Sequence, residues 1–393
     1  MASNSRDVVV VGGGKIGATI AELLTHRGNY RVTLADRDPA RLAGVDVGGP
    51  VAKAVIDLES APGALTAVAR GKFAIINAAP YHLTTRIADA AREAGVHYLD
   101  LTEDVASTRH VKRLAEGSRA AFIPQCGLAP GFVSIVANDL ACRFDSLDSI
   151  RLRVGALPRF PSNSLNYNLT WSTDGVINEY CEPCEAIVDG VRRDVPPLEE
   201  REEFALDGVT YEAFNTSGGL GTLCETFLGR VRELNYRTVR YPGHAAIMKT
   251  LLHDLRLRDR RHVLKDILEH ALPATLQDVV IIFVTVSGLR GGRYVQETYA
   301  NKIYGGDLNG QARSAIQMTT AAGICGVLDL LSEGSLPARG FVRQEDVPFD
   351  RFLRNRFGTI YAAPAPERPS SQHRSPAAVR AAADEREPVA SVG

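Results

Sequence analysis

The sequence predicts an α/β protein: a doubly wound parallel sheet with an inserted α+β domain for substrate binding and dimerisation. Three observations carry this. Val8, Val9, Val10 and Val11 form a β-branched run that reads as a strand buried on both faces. The run breaks into Gly12-Gly13-Gly14-Lys15-Ile16-Gly17 and resumes with helical spacing at Ile16, Ile20, Leu23 and Leu24. From there strand-like and helix-like stretches alternate up to residue 131, after which longer period-two stretches take over.

The glycine turn is the most informative of these. In Gly12-x-Gly14-x-x-Gly17 the first glycine makes the turn and the second lets backbone approach a pyrophosphate. The third lets the helix pack closely on its strand. Lys15 and Ile16 then open a helix whose first N–H groups are free for phosphate. Residues 30–35 read as the second strand, with Asp36 at its end, about twenty residues beyond the glycines. A carboxylate there accepts from the adenosine ribose hydroxyls and repels a 2′-phosphate. A Rossmann dinucleotide site is therefore expected, with NAD as the cofactor. Arg37, beside the acid, leaves NADP open.

The alternation continues in order. Residues 52–57 read as a strand, 63–70 as a helix, and 73–80 as a strand running into a loop. A helix over residues 84–94 ends at Gly95. A strand over 96–101, a helix over 105–115 and a strand over 120–124 follow. The site belongs at the carboxyl ends of these strands. Asp57 is placed to meet the adenine amino group, and Asn77, Ala78 and Ala79 to flank ribose and pyrophosphate. Tyr81, His82, Asp100, Gln125 and Cys126 fall on the nicotinamide side.

Beyond Phe132 the pattern predicts a helix over residues 134–141, a strand over 149–157 and another over 166–172. Val188-Asp189-Gly190-Val191 suits a tight hairpin, and strands over 278–288 and 293–304 pair across Gly291-Gly292. An amphipathic helix is expected over 244–252. The longest helical pattern, 311–331, carries small residues at Ala321, Ala322 and Gly323 and is expected to return to the nucleotide domain. The expected organisation is a nucleotide domain over 1–131, a substrate and oligomerisation domain over 132–308, a returning segment over 309–361, and a disordered tail rich in Pro and Ser over 362–393.

Composition narrows the partners. A net charge of −1 recommends neither nucleic acid nor an anionic membrane. No run approaches the roughly eighteen apolar residues of a membrane span, and the N-terminus has no signal-peptide core. A cytoplasmic enzyme with a small-molecule substrate is expected, as a homodimer or higher homo-oligomer. Cys181-Glu182-Pro183-Cys184 has the spacing of a metal knuckle, but no second such pair exists, so no metal is expected.

Four blocks carry a family resemblance: Cys126-Gly127-Leu128-Ala129-Pro130-Gly131; Trp171-Ser172-Thr173-Asp174-Gly175 with Glu179-Tyr180; Glu212-Ala213-Phe214-Asn215-Thr216-Ser217-Gly218-Gly219; and Tyr236-Arg237-Thr238-Val239-Arg240-Tyr241-Pro242-Gly243-His244. On these the chain up to about residue 358 resembles the saccharopine dehydrogenase family of amino-acid oxidoreductases, and within it looks most like the lysine 6-dehydrogenases. The resemblance implies a nicotinamide cofactor and oxidation of a carbon bearing an amine nitrogen. In lysine 6-dehydrogenases the ε-carbon of lysine gives hydride to NAD and the imine is hydrolysed to the semialdehyde. Saccharopine dehydrogenase or reductase activity, a carboxyamine (polyamine) dehydrogenase and a non-catalytic NAD-binding sensor are the alternatives.

The resemblance also implies roles. Asp100 is expected to meet the reacting amine, as ion-pair partner or proton acceptor, with Tyr81 beside it. His244 is a candidate general acid/base because its ordinary pKa lies near neutrality. Arg240 suits a substrate carboxylate, or else a subunit interface. Thr216, Ser217 and Gly218 offer donors to an α-carboxylate. Trp171 is expected to serve packing.

Overall fold

The structure, a computed structural model, describes residues 5–362. Its first sheet has seven parallel strands: β1 (Arg6–Val11), β2 (Tyr30–Asp36), β3 (Ala52–Val55), β4 (Ala74–Asn77), β5 (His97–Asp100), β6 (Ala121–Ile123) and, late in the chain, β17 (Gly340–Phe341). They lie in the order β17-β6-β5-β4-β1-β2-β3, so the sequence order reverses beside β1. That reversal opens the crevice in which doubly wound sheets bind their ligands.

Both faces of this sheet are covered, which explains the unbroken valine run. Val8 and Val10 pack with Ile20, Leu23 and Leu24 of α1 (Lys15–Arg27). Val9 and Val11 pack on the opposite side with Leu65, Ile87 and Val111. These belong to α3 (Ala64–Ala69), α4 (Thr84–Ala94) and α5 (Val105–Ala115). The short α2 (Pro39–Gly44) is capped by Asp38, whose carboxylate accepts from the N–H groups of Ala40 and Arg41.

After α6 (Phe132–Ala141) comes a second, eight-stranded sheet that is mixed in direction. Its main path runs β10 (Glu202–Leu206), β11 (Val209–Asn215), β12 (Glu233–Arg240), β7 (Ser146–Pro158), β13 (Asp278–Arg290), β14 (Arg293–Tyr304). Only β12 and β7 are parallel neighbours on it. The hairpin of β8 (Cys184–Val188) and β9 (Val191–Val195) joins through β12. The sheet curls: Phe204 of β10 stacks on Phe283 of β13 at 5.5 Å. Helices α7 (Thr173–Cys181), α8 (Leu223–Phe227), α9 (His244–Lys249) and α10 (Arg261–Ala271) lie in its connections.

The two sheets are joined by α11 (Ala315–Ser332), which begins after the small hairpin of β15 (Gly306–Leu308) and β16 (Gln311–Arg313). Ser314 and Gln317 form a reciprocal capping box, and buried Asp278 accepts from the N–H groups of Ala315 and Ile316. A Cβ at Gly323 would sit 2.6 Å from the Cys126 carbonyl oxygen, so only glycine lets α11 lie this close to the loop after β6. By length and composition alone α11 is apolar enough to span a membrane; 78% of it is buried inside the fold. A final helix, α12 (Phe349–Arg354), closes the core around Phe132.

Three expectations are corrected. Residues 166–172 form no strand: Asn166 has φ +50°, and the Asn163 amide takes the Tyr167 carbonyl at 2.7 Å, an alternative to ladder pairing. The helix over 244–252 stops at Lys249 and widens into a π turn over Thr250–Asp254. Residues 311–313 pair as β16 rather than opening α11, because Ser314 takes the capping position. The tail expected over 362–393 lies, but for its first residue, outside the described residues.

Candidate active site

A cleft of about 1080 Å³ runs along the carboxyl ends of β1, β2 and β4 and is closed by β7, β12 and α7 of the second sheet. Its nucleotide end is built from backbone. Gly12 has φ +108°, and a Cβ on it would sit 2.6 Å from the Ala78 carbonyl oxygen. A Cβ on Gly17 would sit 1.8 Å from the Gly12 carbonyl oxygen. Gly14 differs: nothing lies within 4 Å of the point its Cβ would occupy, and no side chain caps α1. Gly12, Gly14, Lys15 and Ile16 line the cleft, so the free N–H groups of α1 face a space of the right character for a pyrophosphate.

Asp36 lines the same end and is only 8% exposed. One carboxylate oxygen accepts from the Gly13 N–H at 2.7 Å, the other from the Asp38 N–H at 2.9 Å. The Arg41 guanidinium approaches to 3.7 Å. The acid therefore pins the glycine turn as well as presenting charge to the cleft. Arg37 lines the cleft beside it, as does Asp57. Asp57 is partly engaged by its own turn, accepting from the Glu59 N–H and the Ser60 hydroxyl. Asn77, Ala78 and Ala79 are all on the wall. The Asn77 side chain works locally, accepting from the Ala79 N–H and donating to Thr84 and Tyr98, so it shapes the loop it belongs to.

The other end of the cleft is built from side chains. Tyr81, 46% exposed, lines it together with Thr102, Glu103, Thr170, Trp171, Glu179 and Arg240. Glu103 follows β5, Glu179 lies on α7, and Arg240 ends β12. Ser172 sets the start of α7, accepting from the Gly175 N–H. Burial pushes the Glu179 carboxyl up to about 8; Arg240 opposes this and the Glu103 charge adds to it. Burial, with a smaller contribution from Asp104, also raises Glu103. Arg240 donates through Nε to the Tyr180 hydroxyl at 2.9 Å and through Nη1 to Thr238 and the Val239 carbonyl. No hydrogen bond is made by its Nη2 among the described residues, and the buried Thr170 hydroxyl has no partner. Trp171 is a cleft wall as well as a packing residue: its ring covers Gly175, where a Cβ would come within 2.4 Å.

Two expected catalytic residues are elsewhere. Asp100 is fully buried beneath the cleft floor and is absent from its lining. One of its oxygens accepts from the N–H groups of Thr102 and Gln125, which holds the loops after β5 and β6 together. His244 is also buried away from the cleft, between the Leu165 carbonyl and the Tyr180 hydroxyl. Burial and the neighbouring Arg240 push it down to about 3, so it is neutral at any working pH. Thr216, Ser217 and Gly218 stand behind the acids rather than in the cleft. The Ser217 N–H donates to the Glu179 carbonyl, and a Cβ at Gly218 would press on Glu103 at 2.8 Å.

Glu103 and Glu179 are the residues that reading the sequence missed as site groups. Glu179 stood within a recognised block, and Glu103 within a run of capping types beside Asp104, which does cap α5. Neither has a local signature; only the approach of α7 to the loop after β5, which brings the Glu103 charge to bear on Glu179, makes them a pair. The buried cysteines of the 181–184 stretch are free thiols, and among the described residues no cluster of metal-ligating side chains exists.

Residues 8–121 match the saccharopine dehydrogenase NADP binding domain, and residues 127–357 match the saccharopine dehydrogenase C-terminal domain. The chain belongs to the saccharopine dehydrogenase family. Among solved structures it is similar to apo saccharopine dehydrogenase (L-Glu forming) from Saccharomyces cerevisiae, with TM-score 0.71, 14% identity, and coverage of 89% of this chain and 96% of that one. It is also similar to the homospermidine synthase of Legionella pneumophila in complex with NAD, with TM-score 0.63, 14% identity, and coverage of 92% and 90%. This family member is an NAD(P)-dependent oxidoreductase, and the glycine turn, the free α1 N-terminus and Asp36 fit its dinucleotide.

Proposed function

We propose that this family member is an NAD-dependent dehydrogenase of the lysine side-chain amine, of the lysine 6-dehydrogenase type. The observation that carries the reading is the set of buried ionisable groups of the inner cleft: two acids, Glu103 and Glu179, beside one guanidinium, Arg240, with Asp174, Arg261 and Glu269 at its more exposed rim. Lysine has one carboxylate and two amines, with one net positive charge. Saccharopine brings three carboxylates to a space with a single buried cation. A polyamine would suit the acids and leave Arg240 and the Thr170 hydroxyl without a partner.

The chemistry needs an unprotonated amine, since its lone pair must push hydride from the adjacent carbon. Glu179 in its carboxylate form takes that proton from the ammonium, a task suited to an acid held near 8. The bound nicotinamide dinucleotide supplies the hydride acceptor. Glu103 then faces the positive iminium in a buried pocket, where opposite charge counts for more than at the surface. Glu179 gives that proton up to solvent and, as a carboxylate again, takes a proton from the water that adds to the iminium carbon and passes it to nitrogen, so that the C–N bond breaks, ammonium leaves and the aldehyde forms. Arg240 and Thr170 hold the substrate carboxylate at the far end, which orients the amine for the step.

The test offers the purified protein NAD or NADP with lysine or saccharopine and follows reduced cofactor by absorbance. Reduction with lysine and NAD is expected. Reduction with saccharopine and not with lysine overturns the proposal.

A further inference from the structure

His244 begins α9, and its backbone is fixed by Glu212, a buried acid on β11 that accepts from the N–H groups of Gly243 at 3.1 Å and Ala245 at 2.7 Å. The imidazole is enclosed by the rings of Tyr167, Tyr180 and Phe214. Its Nδ1 lies 2.9 Å from the Leu165 carbonyl oxygen and its Nε2 lies 3.0 Å from the Tyr180 hydroxyl. A carbonyl can only accept, so Nδ1 carries the proton and Nε2 of the neutral ring is an acceptor. The Tyr180 hydroxyl must then donate to Nε2, which turns its oxygen lone pairs toward Arg240 Nε, 2.9 Å away. Every donor and acceptor in this chain has its direction fixed by the one before it.

We infer that His244 and Tyr180 are positioning residues that aim the Arg240 guanidinium into the cleft. Arg240 is held at Nη1 by Thr238 and the Val239 carbonyl, the Tyr180 bond is its one restraint at Nε, and the group must stay charged and immobile beside Glu179 while buried. The Tyr167 and Tyr180 rings give it cation–π cover at 5.1 and 5.9 Å, but these faces allow the planar group to slide. With Nη1 already held by Thr238 and Val239, the hydrogen bond at Nε is the second point that fixes the rotation of the fork, and it leaves Nη2 as the donor for an incoming anion. A neutral histidine is required, because a protonated ring would donate to the Tyr180 oxygen, compete with Arg240 Nε for it and leave the Tyr180 O–H without its acceptor. Burial beside Arg240 keeps it neutral. That this anion is a substrate carboxylate rests on the reading above.

Steady-state kinetics with lysine and with 1,5-diaminopentane, which lacks the carboxylate, test the inference in Tyr180→Phe, His244→Leu and His244→Gln. Tyr180→Phe is expected to raise the KM for lysine about tenfold, the loss of one charge-assisted hydrogen bond, with kcat little changed and the diamine unaffected. His244→Leu should behave alike. His244→Gln, which keeps an acceptor near Nε2, should recover part of the loss. A fall in kcat with loss of the acid limb of the pH–rate profile in His244→Gln overturns the inference and returns His244 to proton transfer. Unchanged KM for lysine in all three variants overturns it as well. Should the wild-type protein turn over neither amine, the functional reading fails and the hydrogen-bond chain is read separately by ¹⁵N spectra of histidine-labelled protein. The resonance lost in His244→Gln is expected to report an Nδ1–H tautomer at neutral pH and to move at Nε2 in Tyr180→Phe. A protonated or Nε2–H ring there overturns the inference independently of turnover.

Discussion

The two ends of the cleft are built by opposite means. At the nucleotide end the groups that meet a ligand are backbone N–H donors held by three glycines, and side chains mostly hold that backbone: Asp36 clamps Gly13, and Asn77 clamps Ala79. At the other end the backbone is scaffold, and the polar groups lining the space are the side chains of Glu103, Glu179 and Arg240, drawn from a loop, a helix and a strand far apart in sequence. One end tolerates changes of side chain but no added Cβ. The other should tolerate packing changes behind the site and fail at single charged groups.

The largest expected effect lies at the substrate end. Glu179→Gln keeps the shape of the acid and removes the base, and kcat should fall by about 10² to 10⁴. Because burial raises this carboxyl to about 8, its active carboxylate form is lost as pH falls. Wild-type kcat should therefore climb with pH and level off above about 8, and the variant should lack that limb. A variant that keeps both rate and limb would move the base to Glu103 and dissolve the contrast.

The glycines sharpen the comparison from the other side. Gly17→Ala would place a Cβ 1.8 Å from a carbonyl oxygen, so α1 must shift, at a cost of about 1–3 kcal/mol or more, seen as a lower Tm. Gly14→Ala meets open space. It should fold normally and raise the KM for cofactor by filling the pyrophosphate position. Equal Tm losses in the two would show that Gly14 serves the fold rather than a ligand. Smaller again is Asp36→Ala, which leaves the Gly13 and Asp38 N–H groups unpaired, at a cost of about 1–3 kcal/mol, and removes the ribose acceptor. The KM for NAD should rise more than that for NADP; parallel rises would assign the carboxylate to the glycine turn alone.

This division also explains what could be read in the sequence. The nucleotide end was legible because its signals are local: Val8 to Gly17 is one continuous strand, turn and helix, and Asp36 falls at the end of the next strand. Tyr81, Ala78 and Ala79 followed from that frame and do line the cleft. The substrate end is set by tertiary contact. Asp100 stood at the right strand end, yet the Thr102 and Gln125 N–H groups draw it inward, while Glu103, three residues on, reaches the cleft. His244 has the side chain a base would need, but Glu212 and three aromatic rings enclose it. Residue type was informative in both cases, and the direction of the side chain was not. Arg240 was legible as an anion fork and reaches the cleft, while its restraint by Tyr180 depends on a contact sixty residues apart.

The smallest expected effect on turnover tests the displacement of Asp100. Asparagine at this position can still accept the Thr102 and Gln125 N–H bonds through its amide oxygen. Asp100→Asn should therefore leave kcat/KM little changed, whereas a fall of about a hundredfold or more would return Asp100 to the reacting amine. Stability should respond instead. Burial raises this carboxyl to about 6 in the fold, above its ordinary value of 3.8, despite the two N–H bonds that oppose the rise. A raised carboxyl favours the fold while it is protonated, below about 4, and that advantage is lost as pH rises through about 6. Above 6 the wild-type fold carries a buried carboxylate, at a cost of roughly 3 kcal/mol for a shift of about two units. The amide has no such titration. The Tm of Asp100→Asn relative to wild type should thus rise between pH 4 and 6 and stay level above, and a Tm difference independent of pH would place the charge of Asp100 in contact with water.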